Sequence, residues 1–172
     1  MRYAVVYRSL TGNTKQIAQA IEQQLPAQDV IYLGEPDDKA LEADVLFVGS
    51  WTDKGTCDKA IAEFLKKTSG KTVFLFGTAG FGKSEEYFEE ILQRFRELLP
   101  PDVQTGKGFM CAGKMPVGLR NRYQTMLEKE PENLHYKMMI ENFDAVLEHP
   151  TKQDLEHAAQ WTNSCLQQVK NG

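Results

Sequence analysis

Gly77, Gly82, Lys83 and Ser84 stand at the spacing G-x-x-x-x-G-K-[ST], after an apolar run and before a helical pattern. That is the context of a loop that cradles nucleotide phosphates. A second segment offers the same chemistry less conspicuously. Ser9, Leu10, Thr11, Gly12, Asn13 and Thr14 follow another apolar run and open another helical pattern. Hydroxyls at Ser9, Thr11 and Thr14 can donate to phosphate oxygens, and Gly12 lets the backbone approach closely. A helix N-terminus adds unpaired N–H groups and a dipole that favours an anion. The first turn holds Lys15 and Gln16, with no acid before Glu22. Ser, Thr and Asn are also preferred helix caps, so the local pattern by itself leaves a plain capped helix open.

The elements that must position these loops follow from the apolar periodicity. Residues 3–7, 29–33, 45–48, 72–76 and 103–112 read as strands, the last interrupted by Gly106 and Gly108. Helical faces recur over residues 14–25 (Ile17, Ala18, Ile21, Leu25), 58–67 (Ala60, Ile61, Phe64, Leu65) and 84–99 (Phe88, Ile91, Leu92, Phe95, Leu98). A last helix over residues 153–169 carries Leu155, Ala159, Thr162, Leu166 and Val169 on one face, with Thr151 and Asp154 spaced as its capping box. Strands alternating with helices predict an α/β fold. The expected form is a doubly wound five-stranded parallel sheet of order 2-1-3-4-5 with helices on both faces. The winding reverses between the first and third strands, and ligands bind outside the carboxyl ends of the strands there. The informative loops therefore begin at residues 8, 49 and 77.

Residues 113–150 depart from the plain alternation. Two short helices, around 118–129 and 132–147, are divided by Pro131 and contain Leu119, Tyr123, Met126 and Leu127, then Tyr136, Met139, Phe143 and Leu147. They are too few for an independent core, so residues 1–172 read as one domain with residues 113–150 as a helical insertion before the last helix. Arg120, Arg122 and Lys137 could make this insertion a lid or a docking face, or it could simply pad one edge of the sheet.

A nucleoside triphosphate is refused at Gly77. The helix opens Ser84, Glu85, Glu86, which places two carboxylates where phosphates would sit. The only later strand ends Met110, Cys111, Ala112, Gly113, with no acid to hold Mg²⁺. Only one strand remains after the motif, too few for that fold.

The segment Ser9 to Thr14 resembles the FMN phosphate loop of the flavodoxin family, a hydroxyl residue and any residue followed by T-G-x-T. The resemblance continues in Ser50, Trp51, Thr52, Asp53, Lys54 and Gly55 after the third strand. It implies that Trp51 flanks a flavin ring and that the Gly55 peptide changes its hydrogen bond as the flavin is reduced. Thr78, Ala79, Gly80, Phe81 and Gly82 would then line the ring end, with Gly80 and Gly82 offering N–H groups to the pyrimidine oxygens. Phe81 would be a second flanking aromatic, and Lys83 a solvated lysine nearby. Read without the resemblance, Trp51 is a core or interface residue and Phe81 a solvent-edge hydrophobe.

The resemblance also implies a non-covalently bound FMN cofactor and an electron carrier between redox proteins, with a flavin or iron-sulfur reductase as donor. Two other functions stay open: an FMN-dependent reductase of a small acceptor such as a quinone, and a cofactor-free binding module. No catalytic side chain is assigned. Lys54 offsets Asp53, and Lys83 and Lys114 add positive charge, so a reduction potential less negative than that of typical flavodoxins is expected.

The bulk composition narrows the classes further. A formal charge of −4, from 20 basic and 24 acidic residues, lacks the basic stripe of a nucleic-acid binder. No apolar run reaches the length of a membrane span. The three cysteines, Cys57, Cys111 and Cys165, are few and far apart. With no signal-peptide pattern at the N-terminus, a cytoplasmic location with reduced thiols is expected. The three histidines and the cysteines have no metal-ligand spacing. A receiver domain is refused as well, because Ser9 and Ser50 stand where its acids are required.

Overall fold

Ala4, Val5 and Val6 are fully buried, as a strand covered on both faces requires. They form the middle of β1 (Tyr3–Arg8) in the computed structural model, which describes residues 1–82 and 84–172. The chain continues through α1 (Asn13–Glu22), β2 (Val30–Gly34), β3 (Val45–Asp53), β4 (Thr56–Cys57), α2 (Lys59–Leu65) and β5 (Thr72–Ala79). Then come α3 (Glu85–Arg96), β6 (Gln104–Thr105), β7 (Phe109–Ala112), α4 (Val117–Lys129), α5 (Leu134–Ala145) and α6 (Lys152–Asn171). The parallel order is β2-β1-β3-β5-β6, with β7 also on β5. The expected 2-1-3-4-5 winding is therefore present, with the fifth position divided between β6 and β7 at Gly106 and Gly108.

Two strand ends and two buried helix faces differ from the sequence expectation. β3 runs on through Trp51, Thr52 and Asp53 and folds back as the antiparallel β4, with Asp53 opposite Thr56. Lys54 (φ 49) and Gly55 (φ 81) are the two left-handed residues of that hairpin turn. β5 likewise includes Thr78 and Ala79, which were expected in a loop. On α6 the buried line runs through Ala158, Thr162 and Cys165, with Trp161 packed beside it. Ala159 is only half-buried, and on α2 Ala60 is exposed. The Thr151–Asp154 capping box is present.

The sheet divides the core. On one side α2 and α3 pack Ile61, Phe64, Ile91 and Phe95 against Val48 and Leu75. On the other, α1 and α6 cover Phe47, Phe74 and Phe76. Trp161 meets Phe47 edge-on at 5.8 Å and 85°, a favourable aromatic geometry.

Gly49 sits in register with Tyr7 of β1 and Phe76 of β5, and a Cβ there would run into the Phe76 ring. Gly49→Ala should destabilise the fold by about 1–3 kcal/mol through overpacking. Urea denaturation measures this, and Phe76→Leu in the same background should recover part of the loss.

Candidate functional site

The carboxyl ends of β1, β3 and β5 finish level: Arg8 lies beside Ser50, Ser50 beside Gly77, and Trp51 beside Thr78. The three loops singled out in the sequence therefore emerge together. Gly12 is the N-cap of α1 in the left-handed region (φ 89), and a Cβ there would meet nothing within 4 Å. The helix has no side-chain cap and no acid in its first turn. Its first N–H groups lack intrahelical acceptors, and that of Lys15 is met from outside the helix by Ser9. Ser9 Oγ accepts from the Lys15 N–H at 3.2 Å, while Leu10 and Thr11 are exposed.

Two residues of this loop turn inward. Thr14 is fully buried, and its hydroxyl shares a 2.8 Å hydrogen bond with that of Thr78. Asn13 is 7% exposed; its Nδ2 donates to the Lys114 carbonyl at 2.8 Å, but its buried Oδ1 has no partner among the described residues. An orphan acceptor inside a protein costs roughly 1–3 kcal/mol. It marks a place where an outside donor, such as a ligand hydroxyl, would be stabilised.

On the third strand, buried Ser50 donates to the Trp51 carbonyl at 2.6 Å and accepts from the Asp58 N–H at 2.8 Å. Its hydroxyl is thus used internally. Half-buried Trp51 donates its indole N–H to Asp58 Oδ2 at 3.1 Å, and the other Asp58 oxygen caps α2 at Ala60. The Thr52 hydroxyl donates to the Thr78 carbonyl at 2.9 Å. At the hairpin tip, the Gly55 carbonyl accepts from Arg94 Nη1 of α3 at 2.8 Å.

The loop after β5 is held by the insertion. Asn142 of α5 donates to the Gly80 carbonyl at 2.8 Å, and the Gly113 N–H donates to the Ala79 carbonyl at 3.0 Å. A Cβ on Gly80 would collide with Met115, so glycine permits this close packing. Gly82 (φ 81) turns against the Tyr87 ring, and Phe81 is exposed. Lys83 lies outside the described residues. Glu85 and Glu86 occupy the first turn of α3, where a triphosphate would have to bind.

Sequence reasoning missed Asp58 as the Trp51 partner, and it missed Arg94 and Asn142. Asp58 carried a signal, since it stands at a helix start. Arg94 and Asn142 carried none.

The Flavodoxin domain family model matches residues 4–163. The chain belongs to the flavodoxin family. It is 39% identical over 173 residues to a flavodoxin-like domain-containing protein BilS of Clostridium symbiosum (strain WAL-14163), covering 90% of each chain. To the BilS of Clostridioides difficile (strain CD3) it is 32% identical over 170 residues, covering 96% of this chain and 97% of the relative. Among solved structures, Flavodoxin 2 of Bacillus cereus superposes with a TM-score of 0.61 at 18% identity, covering 98% and 99% of the two chains. A flavodoxin from the domain Archaea gives 0.58 at 20%, covering 99% of each. These two likenesses are of fold. Among the described residues, no helix of this flavodoxin-family chain is long and apolar enough to cross a membrane.

All three cysteines are buried free thiols. Burial pushes the Cys57 thiol up from 9.0 to about 11 and the Cys165 thiol to about 12, and raises Cys111 as well. A thiol raised in the folded state stabilises the fold fully below its unfolded pKa, and that contribution is lost as pH climbs through the folded value. Stability should therefore fall as pH rises from 9.0 toward about 11. At pH ~8, where even an unperturbed thiol is only partly ionised, a thiol-reactive dye should label none of the three cysteines of the native protein. Denaturant should expose them all; rapid native labelling of Cys111 would contradict its burial.

Proposed function

We propose that the chain binds FMN non-covalently at the carboxyl ends of β1, β3 and β5 and carries electrons between redox proteins. One observation carries this reading: the α1 N-terminus, free of acids in its first turn, carries a buried Asn13 Oδ1 that lacks a donor among the described residues. Phosphate suits the first feature and a ribityl hydroxyl the second, so the donor set fits FMN. Ser9, Leu10, Thr11, Gly12, Asn13 and Thr14 would hold the phosphate end. Thr14 would serve through its backbone, because its hydroxyl is committed to Thr78. The ring end would fall to Trp51, Thr52, Asp53, Lys54 and Gly55 and to Thr78, Ala79, Gly80, Phe81 and Gly82. Ser50 would support Trp51 from beneath through its own internal bonds.

When bound, FMN would supply reversible one- and two-electron chemistry, and this chain would supply position and field. Trp51 would present a flat face, fixed by its bond to Asp58. The hydrogen-bond change inferred for Gly55 would compete with Arg94, which already holds that carbonyl. A flavin or iron-sulfur reductase as donor and a second redox protein as acceptor fit this role, in the cytoplasm. Residues 113–150 would act as an insertion within the single domain 1–172.

A second reading draws on Asn142. Because it seats α5 on the Gly80 loop, the insertion could bound a slot for a small acceptor such as a quinone. Steady-state turnover with NAD(P)H and a quinone separates the two: a carrier gives none until a reductase is added.

Added FMN should give a bound flavin absorbance, with mass identification after release. It should bind at least about tenfold more tightly than riboflavin, because charge-assisted bonds to phosphate are worth about 1.5–3 kcal/mol each. Equal affinity would remove the phosphate loop from the site. Failure to take up either flavin would overturn the reading. In the FMN-loaded protein, spectroelectrochemistry should place the second reduction step less negative than in typical flavodoxins.

A further inference from the structure

The sheet has a free edge between two overhanging helices. Among the described residues β7 pairs only with β5, so its outward backbone groups have no ladder partner. α3 and α6 cover opposite faces of the sheet, and both line a groove of 1290 Å³ that wraps this edge. Phe88, Phe109 and Trp161 give it an apolar floor. Five carboxylates, Glu85, Glu86, Glu89, Glu90 and Glu97, line its α3 side.

Basic residues of the lining are fewer. Arg94 is engaged with the Gly55 carbonyl, Lys107 lies at the β6–β7 break, and His157 stands on α6. Glu89 pairs with Arg96, whereas Glu85, Glu86, Glu90 and Glu97 have no ion-pair partner among the described residues.

We propose that this groove docks a protein partner through an extended segment rich in lysine and arginine, with apolar side chains at alternate positions. The segment would add as a further strand beside β7. Unpaired edge groups specify a strand, and the period of two sends alternate side chains to the two sides of the sheet plane. The carboxylates specify the charge: basic side chains would meet the α3 wall while the alternate apolar ones cover Phe109 and Trp161. A second copy of this chain is disfavoured, because self-pairing would bring the same carboxylates together. A nucleic acid is refused by the same charge. The groove begins at Glu85, just after the turn at Phe81 and Gly82, so a docked partner would approach the ring end of the candidate flavin site. The inference does not itself rest on flavin binding.

A dye-labelled peptide of nine alternating lysines and valines is the probe, titrated against the full chain by fluorescence anisotropy. Binding should weaken about tenfold in Glu86→Lys/Glu90→Lys, both exposed positions, if each charge contributes under about 1 kcal/mol. It should weaken similarly between about 50 and 500 mM salt. A glutamate–valine peptide should not bind. Native hydrogen exchange with unmutated protein should show new protection within residues 107–110, the part of this edge that lines the groove, a readout that needs no variant to fold. The proposal is overturned if the basic peptide does not bind, or if charge reversal leaves its affinity unchanged. Protection elsewhere, or edge protection that rises with protein concentration without peptide, would also overturn it.

Discussion

Thr78 is the residue on which the carboxyl end of the sheet is assembled. Its hydroxyl is shared with Thr14 from the first loop, and its carbonyl accepts from Thr52 of the third strand. Both hydroxyls of the first pair are buried, so leaving either unpaired would carry a desolvation penalty larger than the net worth of an ordinary hydrogen bond. Helix α1 therefore cannot shift along β5 without breaking a contact that water cannot replace. The placement of Asn13 follows from that of Thr14, one residue on, and its carboxamide in turn fixes the start of the insertion at Lys114.

The same sheet decides where anything else can bind. Both faces are closed by helices, and the cores beneath them are close-packed, with Phe47, Phe74 and Phe76 interleaved under Trp161. Among the openings that remain are the row of strand ends and the edge that α3 and α6 overreach. The two regions meet at the turn between β5 and α3. Glycine serves opposite purposes at its two ends: Gly80 admits Met115 from the insertion, whereas Gly82 turns the chain back against Tyr87.

The winding was legible because buried parallel strands leave uninterrupted apolar runs, and the three loops followed from the winding. The extension of β3 was not. Trp51, Thr52 and Asp53 are polar or half-exposed, and only pairing with Thr56 and Cys57 makes them strand. The Lys54–Gly55 turn lacks the usual asparagine or aspartate at its first position, so its hairpin signal is weak. The fifth strand failed differently: its glycines were visible, but whether they bend a strand or end it depends on what lies against them. Leu92 crowds Gly108 and Gln168 crowds Gly106. On α6 the periodic reading placed Ala159 on the buried face in place of its neighbour Ala158, since two adjacent alanines give the pattern nothing to choose between. Arg94 and Asn142 were illegible in principle. Each is a polar residue satisfying a carbonyl on a remote loop, and nothing in the local pattern distinguishes it from a solvated side chain.

The bonds that brace the candidate site also impose an order in time. Asn13 is joined to a carbonyl 101 residues further along the chain, and Gly80 to a side chain 62 residues further. During synthesis the first loop, the third strand and the Gly80 loop all leave the ribosome before either brace exists. At roughly 5–20 residues per second, that interval is on the order of ten seconds. Until Asn142 emerges, the nascent chain holds the elements of the candidate site without the contacts that fix them, so that region is among the last to mature.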